Sequence, residues 1–139
     1  MPTEREAVAP RAGTKGHAVI RSGSVKRCWD GSWYRVHADS FEAAFLPGDG
    51  EELDAVCNVD VLVQLTDGSQ WSATVFTVTE VERLMAAWAG SGEALGGAYF
   101  WVPDGLIVRD PGIESMIQVI AGLINTGNFS EIFQRLNTE

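Results

Sequence analysis

Cysteine and histidine are scarce in this chain: Cys28, Cys57, His17 and His37 are the only ones among 139 residues. They stand too far apart to give the paired ligand spacing of a zinc cage, so no metal centre is expected. Residues 1–16 carry charges with no apolar stretch behind them, which does not read as a secretory leader. Both thiols are therefore expected to be reduced. No apolar run approaches the roughly 20 residues that cross a bilayer, so the expectation is a cytoplasmic protein with no membrane partner. Gly-x-Ser-x-Gly is absent, and Ala89-Gly90-Ser91-Gly92 misses it by one residue. The glycines at 90, 92, 96 and 97 follow a helical stretch and lack Gly-Lys-Ser/Thr, so they read as a helix C-cap and a return into Tyr99, not a phosphate loop. His37 and Asp39 would share one face of a strand, with Ser40 beside them, so a His-Asp pair is possible; a triad would need a serine brought near by the fold. With no catalytic residue and no cofactor assigned, the chain leans away from enzymes.

Positive charge is scarce beyond residue 35. The first 35 residues hold seven basic and three acidic side chains, +4; the remainder holds three basic and sixteen acidic, −13, for a total of −9. Such a body repels nucleic acid and anionic membrane, so neither is an expected partner, and it attracts basic proteins at long range.

What is present is a double pattern of strands and amphipathic helices between Val59 and Ile124. Val59, Val61, Val63 and Leu65 alternate with polar neighbours, as do Trp71, Ala73 and Val75, around Thr66-Asp67-Gly68. A three-residue loop pairs Val63 with Trp71 and keeps one face apolar; a slip of one residue inverts it. A second hairpin is expected from Tyr99-Phe100-Trp101-Val102, through Pro103-Asp104-Gly105, into Leu106-Ile107-Val108. These strands are apolar on both faces and are expected to be central. Val81, Leu84, Met85 and Trp88 form a helical stripe, with Thr79 as cap and Gly90 or Gly92 as stop. Ile113, Met116, Ile117, Ile120 and Ile124 form a second stripe ending at Gly127. Phe129, Ile132, Phe133 and Leu136 predict a short third helix, capped by Asn128 or Ser130.

The first third is read more coarsely. Residues 1–16 form a flexible arm, and 17–139 a single α+β domain. Ala18-Val19-Ile20 reads as a short strand, Trp29–Trp33 as a turn feeding Tyr34–His37, and Phe41–Phe45 as a strand or one helical turn; together they are expected to add two or three strands to the sheet. Pro47 to Asp54 is an exposed acidic loop whose carboxylates do not follow the EF-hand spacing. The expected fold is α+β: a mainly antiparallel sheet built from two Asp-Gly hairpins, with two longer helices and a short C-terminal helix packed on one face.

The run Asp67-Gly68-Ser69-Gln70-Trp71-Ser72-Ala73-Thr74, then Leu84-Met85, Trp88, Gly92-Glu93, Gly97-Ala98-Tyr99-Phe100-Trp101 and Ile107-Val108, resembles a family of small uncharacterised bacterial proteins. The resemblance covers roughly residues 59–133 and implies a bacterial cytosolic protein; it carries over no functional residue. Three functions stay open. The first is a non-enzymatic protein-binding module, in its sharper form an immunity-type inhibitor of a basic toxin or nuclease, with Asp49, Glu51, Glu52 and Asp54 as candidate contacts. The second is a small-molecule binder or enzyme with a pocket lined by Trp71, Tyr99 and Trp101 and His37 as the titrating group. The third is a homo-oligomeric scaffold built on an unpaired edge strand or the Phe129–Leu136 segment.

Overall fold

The computed structural model describes residues 25–136; the proposed arm and the Ala18-Val19-Ile20 strand lie outside them. The described chain is α+β, with a seven-stranded, mostly antiparallel mixed sheet and four helices. The strands are β1 (Lys26–Asp30), β2 (Trp33–His37), β3 (Phe41–Leu46), β4 (Asn58–Leu65), β5 (Gln70–Thr77), β6 (Gly105–Val108) and β7 (Gln134–Leu136). The helices are α1 (Val78–Ser91), α2 (Glu93–Gly97), α3 (Ile113–Thr126) and α4 (Phe129–Ile132), with a 3-10 turn at Leu53–Ala55.

Strands β1 to β5 form an antiparallel meander in chain order. Strand alternation gives this meander an inner face, where Val36, Ala43, Val63 and Trp71 stand in one row across four strands. Phe45, Val61 and Ala73 form the next row. Helix α3 lays Ile113, Met116, Ile117, Ile120 and Ala121 on this face, and together these side chains make the core. The i, i+3, i+4, i+7 spacing puts those residues on one stripe, so the sheet's apolar face and the helix's apolar stripe are each other's cover.

The second Asp-Gly pair does not make a hairpin. Tyr99–Val102 is not a strand, and Leu106–Val108 belongs to β6, which runs parallel to β5 with Val75 opposite Leu106 and Phe76 opposite Ile107. Nor is this segment central: β6 lies at the end of the strand order, with Ile107 exposed. Antiparallel neighbours are joined by a tight turn, but parallel ones need a crossover. Helix α1 and the return through Gly97 supply it.

The C-terminal segment also departs from expectation. The helix begun at Phe129 stops after one turn, and Gln134–Leu136 pairs antiparallel with Gln70–Ser72 of β5. Strand β6 covers only Thr74–Thr77 of that edge. The remaining backbone groups of β5 need partners, and a strand provides them where a helix does not.

The three helical stripes do not share one face. Helices α3 and α4 serve the inner face, where Phe129 meets Trp71. Helix α1 serves the outer one, because Phe76, next to inward-facing Val75, packs on Phe100, and Phe100 stacks on Trp88 of α1. Its cap is Thr77, not Thr79: the Thr77 hydroxyl accepts a hydrogen bond from the Glu80 N–H at 3.1 Å.

The return from α1 depends on Gly97, at φ +84°, where a Cβ would collide with the Met85 carbonyl oxygen. Gly90, inside α1, has open space around it and an ordinary backbone. Gly97→Ala should therefore cost about 2 kcal/mol or more, whereas Gly90→Ala should add up to about 1 kcal/mol. Urea midpoints of the two variants, read by tryptophan fluorescence, check the opposite signs.

Candidate protein-binding surface

The four residues proposed to line a ligand pocket are not gathered into one. Trp71 is a core residue, 9% exposed. Its indole N–H donates to the Ser69 hydroxyl at 2.9 Å, its ring meets Phe129 edge-on, and the Arg135 guanidinium lies 5.6 Å above it. His37 projects from the opposite face of the sheet, where its Nδ1 lies 3.4 Å from Glu42, not beside Asp39. Tyr99 and Trp101 lie outside the sheet and are 51% and 72% exposed. None of the four lines any of the three described cavities. A hollow of about 330 Å³ on the outer sheet face is lined instead by side chains such as Trp33, Arg35, Glu42 and Leu62.

The exposed rings belong to a different construction. Phe76 points outward from β5, Phe100 meets it edge-on at 4.8 Å, and Trp88 stacks on Phe100 at 5.8 Å and 9°. Trp88 lies three turns along a helix that starts beside Phe76, so α1 must fold back over the outer face for the three rings to meet. Phe100 is thus the inward plug of the return segment, and its chain neighbours Tyr99 and Trp101 are turned toward water. Ile107, the register partner of Phe76, is 50% exposed, and Val78, two residues after Phe76, is 48% exposed.

Two further features mark this region as unfinished. Helix α1 buries only Glu80 fully; Val81, Leu84, Met85 and Trp88 remain partly accessible. Helix α2 is wound left-handed, with Ala94 at φ 52° and Leu95 at φ 55°. Each such residue costs roughly 1–2 kcal/mol, yet the turn holds Leu95 81% exposed. Backbone strain of this kind concentrates at recognition sites, and exposed Trp and Tyr are the side chains that anchor protein interfaces. The sequence pattern could not single out Leu95, Val78 or Ile107, since their exposure follows from the fold-back of α1.

The charges divide sharply. Arg27 pairs with Glu114 at 2.6 Å, Arg35 with Asp30 at 2.8 Å, Arg83 with Glu80 at 2.7 Å and Arg109 with Asp110 at 2.9 Å. Residues 25–136 contain six basic and sixteen acidic side chains. Four of the six are thus already neutralised locally, and the acidic surplus faces solvent. In the β3–β4 connection, Asp49, Glu52 and Asp54 are exposed, while Glu51 accepts a hydrogen bond from the Gly48 N–H at 2.9 Å and shapes the turn. Near the aromatic surface, Glu82 and Glu93 are exposed as well.

Glu80 is different in kind. It is 6% exposed and receives hydrogen bonds from Arg83 at 2.7 and 2.8 Å, from Asn58 at 3.4 Å and from the Cys57 thiol at 3.6 Å. The Arg83 hydrogen bonds hold its carboxyl below the ordinary glutamate range, while burial, then Glu80, raises the Cys57 thiol. This cluster ties the start of α1 to β4 and is structural. Among the described residues there is no group of three metal-ligating side chains, and no helix is long and apolar enough to cross a membrane. No protein-family model, no curated protein and no solved structure matches the chain.

Because the folded-state pKa of Glu80 is depressed, its contribution is complete above the unfolded glutamate value and is lost as pH falls through the folded one. Glu80→Gln should destabilise the protein at neutral pH by about 1–3 kcal/mol and flatten the acid limb of its stability curve. Urea midpoints measured across the acid range would show both effects.

Proposed function

We propose that this chain is a non-enzymatic protein-binding module that takes a basic protein on the surface formed by Tyr99, Trp101, Leu95, Val78 and Ile107. The observation that carries the reading is the exposure of two aromatic side chains, Trp101 at 72% and Tyr99 at 51%, on a scaffold whose own core is complete without them. Water-exposed rings fixed on packed neighbours lose little conformational freedom on binding, which favours them as anchors. The surrounding negative field speeds the encounter with a positively charged partner and disfavours acidic ones. An inhibitor of the immunity type, covering a basic toxin or nuclease, is the sharper form of this reading. It would suit the bacterial cytosolic setting that the resemblance over residues 59–133 implies. The acidic β3–β4 connection, through Asp49, Glu52 and Asp54, adds long-range attraction without being the anchor.

The test is capture from a lysate of the source cell at low salt, with the wild-type chain and with Trp101→Ala as bait. A basic protein should be retained by the wild type and released as salt rises. Trp101→Ala should weaken the purified complex about 30-fold, the loss typical of a hot-spot tryptophan, with unchanged thermal stability. Binding that ignores both salt and Trp101 would sink the proposal.

A further inference from the structure

At the opposite end of the sheet, β1 presents an edge that is complementary to itself. All five residues, Lys26 to Asp30, are exposed, and among the described residues the strand pairs only with β2. Arg27 counts as exposed although its side chain keeps only 29% of its accessible surface, because its backbone faces out. The turn fixes which backbone groups do so. Asp30 pairs with Trp33 across the two-residue loop Gly31-Ser32, which makes that pair hydrogen-bonded, and the alternation makes Cys28 and Lys26 hydrogen-bonded to β2 as well. The N–H and C=O groups of Arg27 and Trp29 therefore point away from the sheet.

We infer that this edge pairs with β1 of a second copy, antiparallel about a two-fold axis at Cys28. That axis places Arg27 opposite Trp29 twice, and these are the residues whose outward groups can form the ladder. It places Lys26 opposite Asp30 twice and Cys28 opposite Cys28. The neighbouring axes fail: one centred on Arg27 sets arginine against arginine, and one centred on Trp29 runs Arg27 against Gly31 in the turn. Opposite charges facing each other across strands stabilise a pairing, and like charges oppose it. The Asp30 carboxylate, held by Arg35 through Oδ2, meets Lys26 of the second copy on the outer face. On the inner face, Trp29, 55% exposed and packed edge-on against Tyr34, covers the Arg27–Glu114 pair of the second copy. One five-residue edge is a small contact, so the dimer is concentration-dependent. It lies across the sheet from the aromatic surface and stands or falls independently of it.

The geometry offers its own reporter. Cys28 opposite Cys28 is a non-hydrogen-bonded pair, with Cα atoms about 4.5 Å apart, inside the range a disulfide spans. The oxidant diamide takes two electrons and two protons from the facing thiols and becomes a hydrazine, while one S–S bond forms. The full chain, treated briefly with diamide, should give a covalent dimer whose peptide map shows Cys28 joined to Cys28. Lys26→Asp alone and Asp30→Lys alone should each slow that trapping about tenfold, since each sets like charges opposite. An equal mixture of the two variants should restore it as a mixed dimer, recognisable by mass, because both pairs are then opposite in charge. Trapping indifferent to these substitutions, a mixture that fails to recover, or no dimer at all would overturn the assignment.

Discussion

The far edge of β5 imposes the demand that orders everything after the meander. One edge of β5 is satisfied by β4 over its whole length; the other exposes a row of backbone donors and acceptors inside the fold. Two short strands share that edge, β6 over Thr74–Thr77 and β7 over Gln70–Ser72. Because β6 runs parallel, the chain must travel the length of the sheet before it pairs, and α1 and the left-handed α2 are the means of doing so. Because β7 runs antiparallel and arrives last, the C-terminal segment gives up its helix after one turn. Arg135 then reaches the face of Trp71 from β7, closing the open end of the inner core.

This arrangement separates the two faces of the sheet. The inner face is packed by α3 and α4, with Val36, Phe45, Val75 and Ile120 wholly buried. Among the described residues, the outer face is covered where α1 folds back onto Phe76 through Phe100 and Trp88. Apolar side chains left over from that partial cover become surface: Val78, Leu95, Tyr99, Trp101 and Ile107. Of these, Leu95 is held outward by the left-handed turn of α2, and among the described residues no other part of the chain covers it.

Charge placement follows a related economy. Arg27, Arg83 and Arg35 clasp elements together, to α3, within α1 and across the β1–β2 hairpin respectively. Basic residues are thus used inside the fold, and the acidic majority is left to define the field outside it. The buried Glu80 is the exception: it serves as an acceptor for groups from β4 and α1, and its ionised form is stabilised by them.

The α+β class, the amphipathic stripe of α3 and the alternation of β4 and β5 are legible in the chain itself, since side-chain periodicity reports a face that must be buried and alternation permits one register only. The pairing Val63–Trp71 satisfies that alternation. In the first third, Tyr34–His37 lies in a strand, while Phe41–Phe45 fits a strand or a helical turn by pattern and only its pairing with β2 and β4 makes it β3; Lys26–Asp30 carries no apolar alternation that marks it as β1. Asp104-Gly105 marks a turn but not a partner: a Pro-Asp-Gly turn serves a loop before a parallel strand as well as a hairpin. Tyr99, Phe100 and Trp101 look alike as apolar residues, and only the stacking of Phe100 on Trp88 decides that it is half-buried while its neighbours are exposed. Trp71, His37, Tyr99 and Trp101 likewise carry the chemistry of a pocket in their types, but the fold distributes them over two faces and an edge. Sequence by itself determined which residues must be buried and which net charge must face water, because hydropathy and charge are properties of each side chain. Tertiary structure alone decided which apolar residues stay exposed and where, because that depends on how much of each face another part of the chain reaches.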